Sequence, residues 1–250
     1  MNLPEELSVR PFWGGRVEPI DAQARMIWEC FQRLAARGDF LSLPWRSLNA
    51  DPAGGRALDT FETLLSDMRM LASKGTHYGF SQDAAALARR TPCCATLSAD
   101  LSLSKLGASG LGNDAVLMMG KCVFAGSDEH LPTAWLLEMG AGLVRDFVDI
   151  WHPDWVALDC LSVIDLKPRP RAGKPGIGFV TWLAPWVVDA GKLPRAPIRE
   201  EYRGGTLIGI NPNAKDPVGE ATKLAQKIYA ADILKPLPTV QPQWGDVPTR

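Results

Sequence analysis

The chain has 250 residues, 46% of them apolar, and carries 27 Lys+Arg against 28 Asp+Glu for a net charge of -1. That length and apolar share suffice for a sizeable buried core, while the charge balance argues against a sequence-independent nucleic-acid binder, which needs a basic excess to displace counterions. The acidic, Pro-containing start Met1-Asn2-Leu3-Pro4-Glu5-Glu6 is unlike a secretory signal, and no segment reaches the roughly 18 apolar residues of a membrane span, so a cytoplasmic, soluble protein is expected.

In chain order, Leu7, Val9 and Trp13 bracket a short extended segment, and Pro11 within it predicts an edge strand or an irregular run. After a Gly14-Gly15 turn, Asp21 is placed to cap a helix on which Met26, Ile27, Cys30, Phe31 and Leu34 recur at helical spacing up to Gly38. The run 51–55 reads as a loop. Leu58, Phe61, Leu64, Leu65, Met68 and Leu71 then predict a second helix ending near Gly75, and Ser81 a cap for a short third one over 84–88. Alternation over 93–104 predicts a strand with one solvated face, paired across a 107–114 hairpin loop with an apolar strand at 115–125. Thr133 starts a helix with Leu136, Leu137, Leu143, Val144, Phe147 and Val148 inward. Its Gly140 and Gly142 suggest close packing on a sheet.

Further strands are expected at 155–165, 178–184 and 206–211. Asp216-Pro217 then opens a helix running to about Ala231, with Val218, Ala221, Leu224, Ala225 and Ile228 inward. Pro236, Pro238, Pro242 and Pro248 predict an extended tail. The fold class is therefore α+β, with an antiparallel or mixed sheet of about five to six strands and helices packed on it. A single domain is expected over 1–235, with a Pro-rich tail at 236–250.

Few residues suggest chemistry. Cys30, Cys93, Cys94, Cys122 and Cys160 lack Cys-x-x-Cys spacing and read as buried thiols in a reducing compartment. His77, His130 and His152 have no partner at metal-ligand spacing, so no metal is expected. The glycines at 107–112 and 173–178 lack the Gly-Lys-Ser/Thr or strand-loop-helix setting of a phosphate cradle, so no cofactor is expected either. Asp149, Asp154, Asp159 and Asp165 are the one carboxylate cluster that suggests a hydrolase, but Asp154, Asp159 and Asp165 do not share one alternation phase. Tryptophan is abundant, with nine residues against three Tyr, and several flank expected turns. Half or more should be core, and any left exposed would be natural interface anchors.

Four segments together resemble the immunity protein 52 family of bacterial polymorphic-toxin systems. Phe12-Trp13-Gly14-Gly15-Arg16-Val17-Glu18 is similar to the family's Trp-x-x-Arg-x-Glu opening, followed by the helix with Cys30, Arg33 and Leu34 and then by Trp45. Trp151-His152-Pro153-Asp154-Trp155 resembles its Trp-Asp-Pro segment, with His152 where an acidic residue is usual. Gly178-Phe179-Val180-Thr181-Trp182-Leu183 resembles its Gly-Trp-x-x-Tyr-Leu segment, with Phe179 and Trp182 in place of the usual aromatics. Gly204-Gly205-Thr206-Leu207-Ile208 resembles its Gly-Gly-Thr strand.

The resemblance implies an α+β immunity protein encoded beside a toxin, often a restriction-endonuclease-like nuclease delivered by type VI secretion. It supplies no catalytic residues. The expected function is stoichiometric binding of that toxin, without catalysis, cofactor, membrane or direct nucleic-acid contact; the oligomeric state is left open. A basic nuclease groove calls for acidic and aromatic groups, and Trp151, Asp154, Trp155, Trp182, Trp186, Glu200 and Glu201, near strand ends and turns, are the candidate partner-binding residues. The competing expectation is a hydrolase that uses the carboxylates of 154–165 together with His152.

Overall fold

The computed structural model describes residues 6–14, 18–37, 44–47, 56–72, 77–82, 93–100, 113–121, 133–160, 168, 170, 171 and 173–238. Its strands are β1 (Glu6–Trp13), β2 (Trp45–Ser47), β3 (Arg56–Ala57), β4 (His77–Gln82), β5 (Cys93–Asp100), β6 (Asn113–Lys121), β7 (Trp155–Asp159), β8 (Val180–Leu183), β9 (Ile198–Tyr202) and β10 (Gly205–Gly209). Its helices are α1 (Ile20–Arg37), α2 (Phe61–Ala72), α3 (Thr133–Trp151) and α4 (Pro217–Ala230), with a 3-10 turn at Ala190–Lys192. The class is α+β. Among the described residues the strands form one antiparallel sheet in the order β3-β2-β4-β5-β6-β1-β7-β8-β10-β9, ten strands against the five to six expected.

The largest correction concerns β1. Pro11 predicts an edge, yet β1 lies mid-sheet between β6 and β7. Pairing with β7 is continuous from Ser8 to Phe12, whereas pairing with β6 lapses between Val9↔Leu117 and Phe12↔Asp114. The Phe12 carbonyl accepts from Asp154 N on the β7 side at 2.8 Å, so the backbone of Pro11 turns toward β6. The missing N–H therefore falls at the interruption, and the proline is tolerated inside the sheet.

Alternation assigns the two faces. Leu158 of β7 lies under Gly140 of α3, where a Cβ would overlap its side chain, so Val156 and Leu158 point toward the helices. Their cross-strand partners Trp182 and Val180, and Leu207 opposite Trp182, share that face. α3 packs on β1, β7 and β8, and α1 packs on both α2 and α3, giving a helical layer over this side. Gly140 thus serves the close packing on the sheet that its sequence suggests, whereas Gly142 makes room for the Arg37 guanidinium of α1.

Trp155 and Ala157 point to the opposite face. There the Trp155 indole donates to Gly176 O (2.8 Å), and Ile177 N donates to the Tyr229 hydroxyl of α4 (2.9 Å). After α4 the chain returns past the segments that flank β8: Lys235 N donates to Val187 O at 2.8 Å and Leu237 N to Gly173 O at 2.7 Å. The first residues of the expected Pro-rich tail are therefore tied down, and 239–250 lie outside the described residues.

Other boundaries shift for local reasons. Asp21 lies inside the first turn of α1 instead of capping it, and its carboxylate meets Arg69 of α2 at 2.9 Å. Leu58 is buried but precedes α2, its N–H bonded to Trp45 O. Ser81 belongs to β4, in which Tyr78 and Phe80 alternate into the core. α4 matches its expectation closely: Asp216 accepts from Gly219 N, Pro217 opens the helix, and all five expected inward residues are buried. The short helix at 84–88, the 51–55 loop, the tip of the 107–114 loop and the far ends of the strands expected at 93–104 and 115–125 fall outside the described residues.

Candidate functional site

Asp154 opens β7 and is fully buried. Its carboxylate accepts from Gly14 N (2.6 Å) and from the Trp186 indole N–H (2.7 Å). Its own N–H donates to Phe12 O, and its carbonyl accepts from Ala184 N. One residue, through its side chain and its backbone together, therefore ties the ends of β1, β7 and β8 to the turn after β8. Beside it, Trp151 ends α3 and is also fully buried, stacked on Trp13 with ring centroids 5.4 Å apart and planes 17° from parallel. His152 then takes a left-handed conformation (φ 43°) before Pro153, which stops the helix and turns the chain into β7.

Trp182 is buried on the helical face, with its indole N–H donating to Tyr202 O at 2.8 Å. Gly205 packs against its ring, and a Cβ there would overlap the indole and stand 2.6 Å from Leu183 O. Against the expectation that they meet a partner, Trp151, Asp154 and Trp182 are buried: Trp151 stacks on Trp13, and the side-chain polar atoms of Asp154 and Trp182 serve the sheet and its connections. Trp155 and Trp186 are half-buried, and Glu200 and Glu201 are exposed on the edge strand β9. Glu200 points to the helical side and takes Arg145 of α3 at 2.8 Å and 2.9 Å, whereas Glu201, opposite Thr206, points to the other side.

The carboxylates weighed for hydrolysis do not come together. Asp154 and Asp159 are five residues apart on an extended chain, about 16 Å by strand rise, and project to opposite faces. Asp159 accepts from Cys160 N at 2.8 Å, Asp149 lies on α3 among arginines, and Asp165 is outside the described residues. Among the described residues no group of three or more His, Cys, Asp and Glu side chains is placed to hold a metal ion, and no helix is long and apolar enough to cross a membrane.

A charged belt, not anticipated as a unit, runs across the helical layer. Arg33 of α1 bonds Glu29 (2.7 Å) and Asp149 of α3 (3.1 Å), Arg37 bonds Asp146 (2.7 Å), and Arg203 in the β9–β10 turn bonds the other oxygen of Asp149 (2.7 Å). Burial pushes the Asp149 carboxyl up, but hydrogen bonds from Arg203, Arg33 and Tyr202 outweigh it and hold it below the usual carboxylate range. Beneath the belt, burial pushes the Cys30 thiol well above its ordinary value, with Asp146 and Glu29 adding to the effect. The signal was present in the sequence: Arg33 and Arg37 are four apart, Asp146 and Asp149 three apart, so each pair shares one helix face.

Next to the belt, the outer face of α1 carries a groove of about 690 Å³ lined by Arg25, Trp28, Glu29, Gln32, Arg33, Ala36 and Phe61. Six of these lie on α1 at helical spacing, and Phe61 is the first residue of α2. Trp28 and Phe61 are half-buried, Arg25 and Gln32 exposed, and the Arg25 guanidinium sits 5.6 Å above the Phe61 ring.

No protein-family model matches the chain, and no curated protein matches it. Among solved structures, the chain is similar to a Pseudomonas aeruginosa T6SS protein, PA0821, at 12% sequence identity and a TM-score of 0.44 over 90% of this chain and 75% of that one. A likeness that distant carries neither a residue nor a role across.

Proposed function

We propose that the chain is an immunity protein that neutralises a cognate toxin by stoichiometric binding, the toxin being a restriction-endonuclease-like nuclease. The observation that carries this reading is the way the four resemblance segments interlock. Trp13 stacks on Trp151, Gly14 N reaches Asp154, and Gly205 receives the Trp182 ring. Segments up to about 190 residues apart in the chain thus form one framework at the junction of β1, β7, β8 and β10, as the shared signature of one family would.

The carboxylates support binding over hydrolysis, since Asp149 and Asp154 are each engaged with donors of the framework and Asp154 and Asp159 lie on opposite faces. The exposed acids a partner could meet include Glu200 and Glu201 on β9, Glu200 already holding Arg145, with the half-buried Trp155 and Trp186 nearer the sheet centre. An acidic rim of this kind suits the basic substrate groove of a nuclease and raises the encounter rate. The same charges also blunt an edge strand against unwanted pairing.

Co-expression with the product of the adjacent gene tests the proposal. That product is expected to be toxic alone, to lose its toxicity when both are present, and to co-purify at one-to-one stoichiometry by light scattering. A neighbour that is harmless alone, or that remains toxic in the presence of this chain, overturns the reading.

A further inference from the structure

We infer that the groove on the outer face of α1 is a docking site for a carboxylate-bearing apolar segment of the protein partner, with Arg25 and Trp28 as its anchors. The inference rests on the binding role proposed above and names the surface and the chemistry that role would use. Lining residues Arg25, Trp28, Gln32 and Ala36 follow one another by three or four along α1, with Glu29 and Arg33 beside them, on a different side from the buried residues Gln23, Ala24, Ile27, Cys30, Phe31 and Leu34. The groove is therefore an outer helix stripe, with Phe61 of α2 as its wall.

Its charges are unequally engaged. Glu29 and Arg33 are joined at 2.7 Å, and Arg33 is further held by Asp149. Arg25 meets no carboxylate among the described residues; it lies over the Phe61 ring at 5.6 Å and is exposed. An unneutralised guanidinium held over an aromatic ring calls for a carboxylate. The half-buried indole of Trp28 beside it calls for an apolar neighbour. Tryptophan and arginine flanked by polar residues are the composition of interface hot spots, and the groove's volume accommodates a few partner side chains. The belt through Arg33, Asp149 and Arg203 leads from this groove to the turn beside β9, so the groove and Glu200 lie on the same helical side of the sheet.

The test titrates the purified product of the adjacent gene against the full chain by calorimetry. The variants are Arg25→Glu, Trp28→Ala and, as a charge-matched control, Lys223→Glu on the exposed side of α4. Arg25→Glu and Trp28→Ala should each weaken binding at least tenfold, with Arg25→Glu also flattening the salt dependence, while Lys223→Glu stays within about twofold. Unfolding midpoints accompany each variant. Arg25→Glu alters an exposed side chain and keeps the inference falsifiable if Trp28→Ala fails to fold. If the wild-type chain binds and Arg25→Glu binds equally well, the groove inference is overturned while the immunity reading stands. Loss of binding in Lys223→Glu equal to that in Arg25→Glu overturns it too. If the wild-type chain neither binds nor protects, the immunity reading falls and the inference falls with it.

Discussion

Replacing Asp154 tests whether one buried carboxylate holds the junction of three strands. Asp154→Ala removes the acceptor of two short bonds, from Gly14 N at 2.6 Å and from the Trp186 indole at 2.7 Å. Gly14 is buried, so its N–H loses its acceptor out of reach of water, at about 1–3 kcal/mol. Trp186 is half-buried and its N–H can rehydrate, at about 1 kcal/mol. With the cavity left by the carboxyl group, the total is about 3–5 kcal/mol, a large share of the stability of an ordinary domain. Asp154→Asn keeps the shape and one acceptor but turns an NH2 group toward a donor, and should cost about 2–3 kcal/mol. Trp186→Phe takes the indole donor from one oxygen of the buried Asp154 carboxylate while the bond from Gly14 N to the other oxygen stays, and should cost about 1–2 kcal/mol. The order Ala, then Asn, then Trp186→Phe is read from urea midpoints at constant slope. An Asp154→Ala protein within about 1 kcal/mol of wild type refutes the junction role.

Gly205→Ala should cost about 1–3 kcal/mol, because its methyl overlaps a Trp182 ring that is itself tethered to Tyr202 O. Gly204→Ala, in a left-handed turn (φ 73°) with open space around it, should cost about 1 kcal/mol by backbone strain alone; near-UV circular dichroism should change only in Gly205→Ala. The Asp149 carboxyl is depressed in the folded state by Arg203, Arg33 and Tyr202, which outweigh its burial. Its contribution is therefore full above the unfolded carboxylate value of about 4 and is lost as pH falls through the lower folded value. Asp149→Asn should flatten that acid limb in unfolding measured from pH 6 downward, and an unchanged limb counts against the assignment. Burial of Cys30 and Cys160 predicts that both escape iodoacetamide in the native state and react fully in denaturant, as peptide mapping would read.

The parts of the fold legible in the sequence are those where one local period agrees with burial. α4 is the clearest case, because Asp216-Pro217 marks its start and five apolar residues mark its inner face. β2, β3 and β9 escaped because they are two to five residues long, and β9 reads Ile-Arg-Glu-Glu-Tyr with only its ends partly covered. β4 escaped because Ser81 resembled a cap, although Tyr78 and Phe80 alternate around Gly79 as strand residues do. Pro11 misled for a different reason. Its cost depends on which neighbour its missing N–H faces, and no local pattern encodes that. Site residues suffered from the ambiguity of tryptophan: abundance marks Trp151 and Trp182 as important without saying that both are buried.

That ambiguity bears on where specificity would lie. Within the framework, Trp13 stacks on Trp151, Gly205 packs against Trp182, and Asp154 accepts from Gly14 N and Trp186, so substituting any of these perturbs the fold before it perturbs a partner. A family of binders facing different toxins would keep such a framework and vary what surrounds it. The side chains with freedom to vary here are exposed ones, among them Glu201 on β9 and Arg25 and Gln32 on α1. None of these falls within the four resemblance segments. The residues that make a family recognisable in sequence and the residues that choose a partner are thus expected to be largely different sets, and the binding experiments belong on the second set.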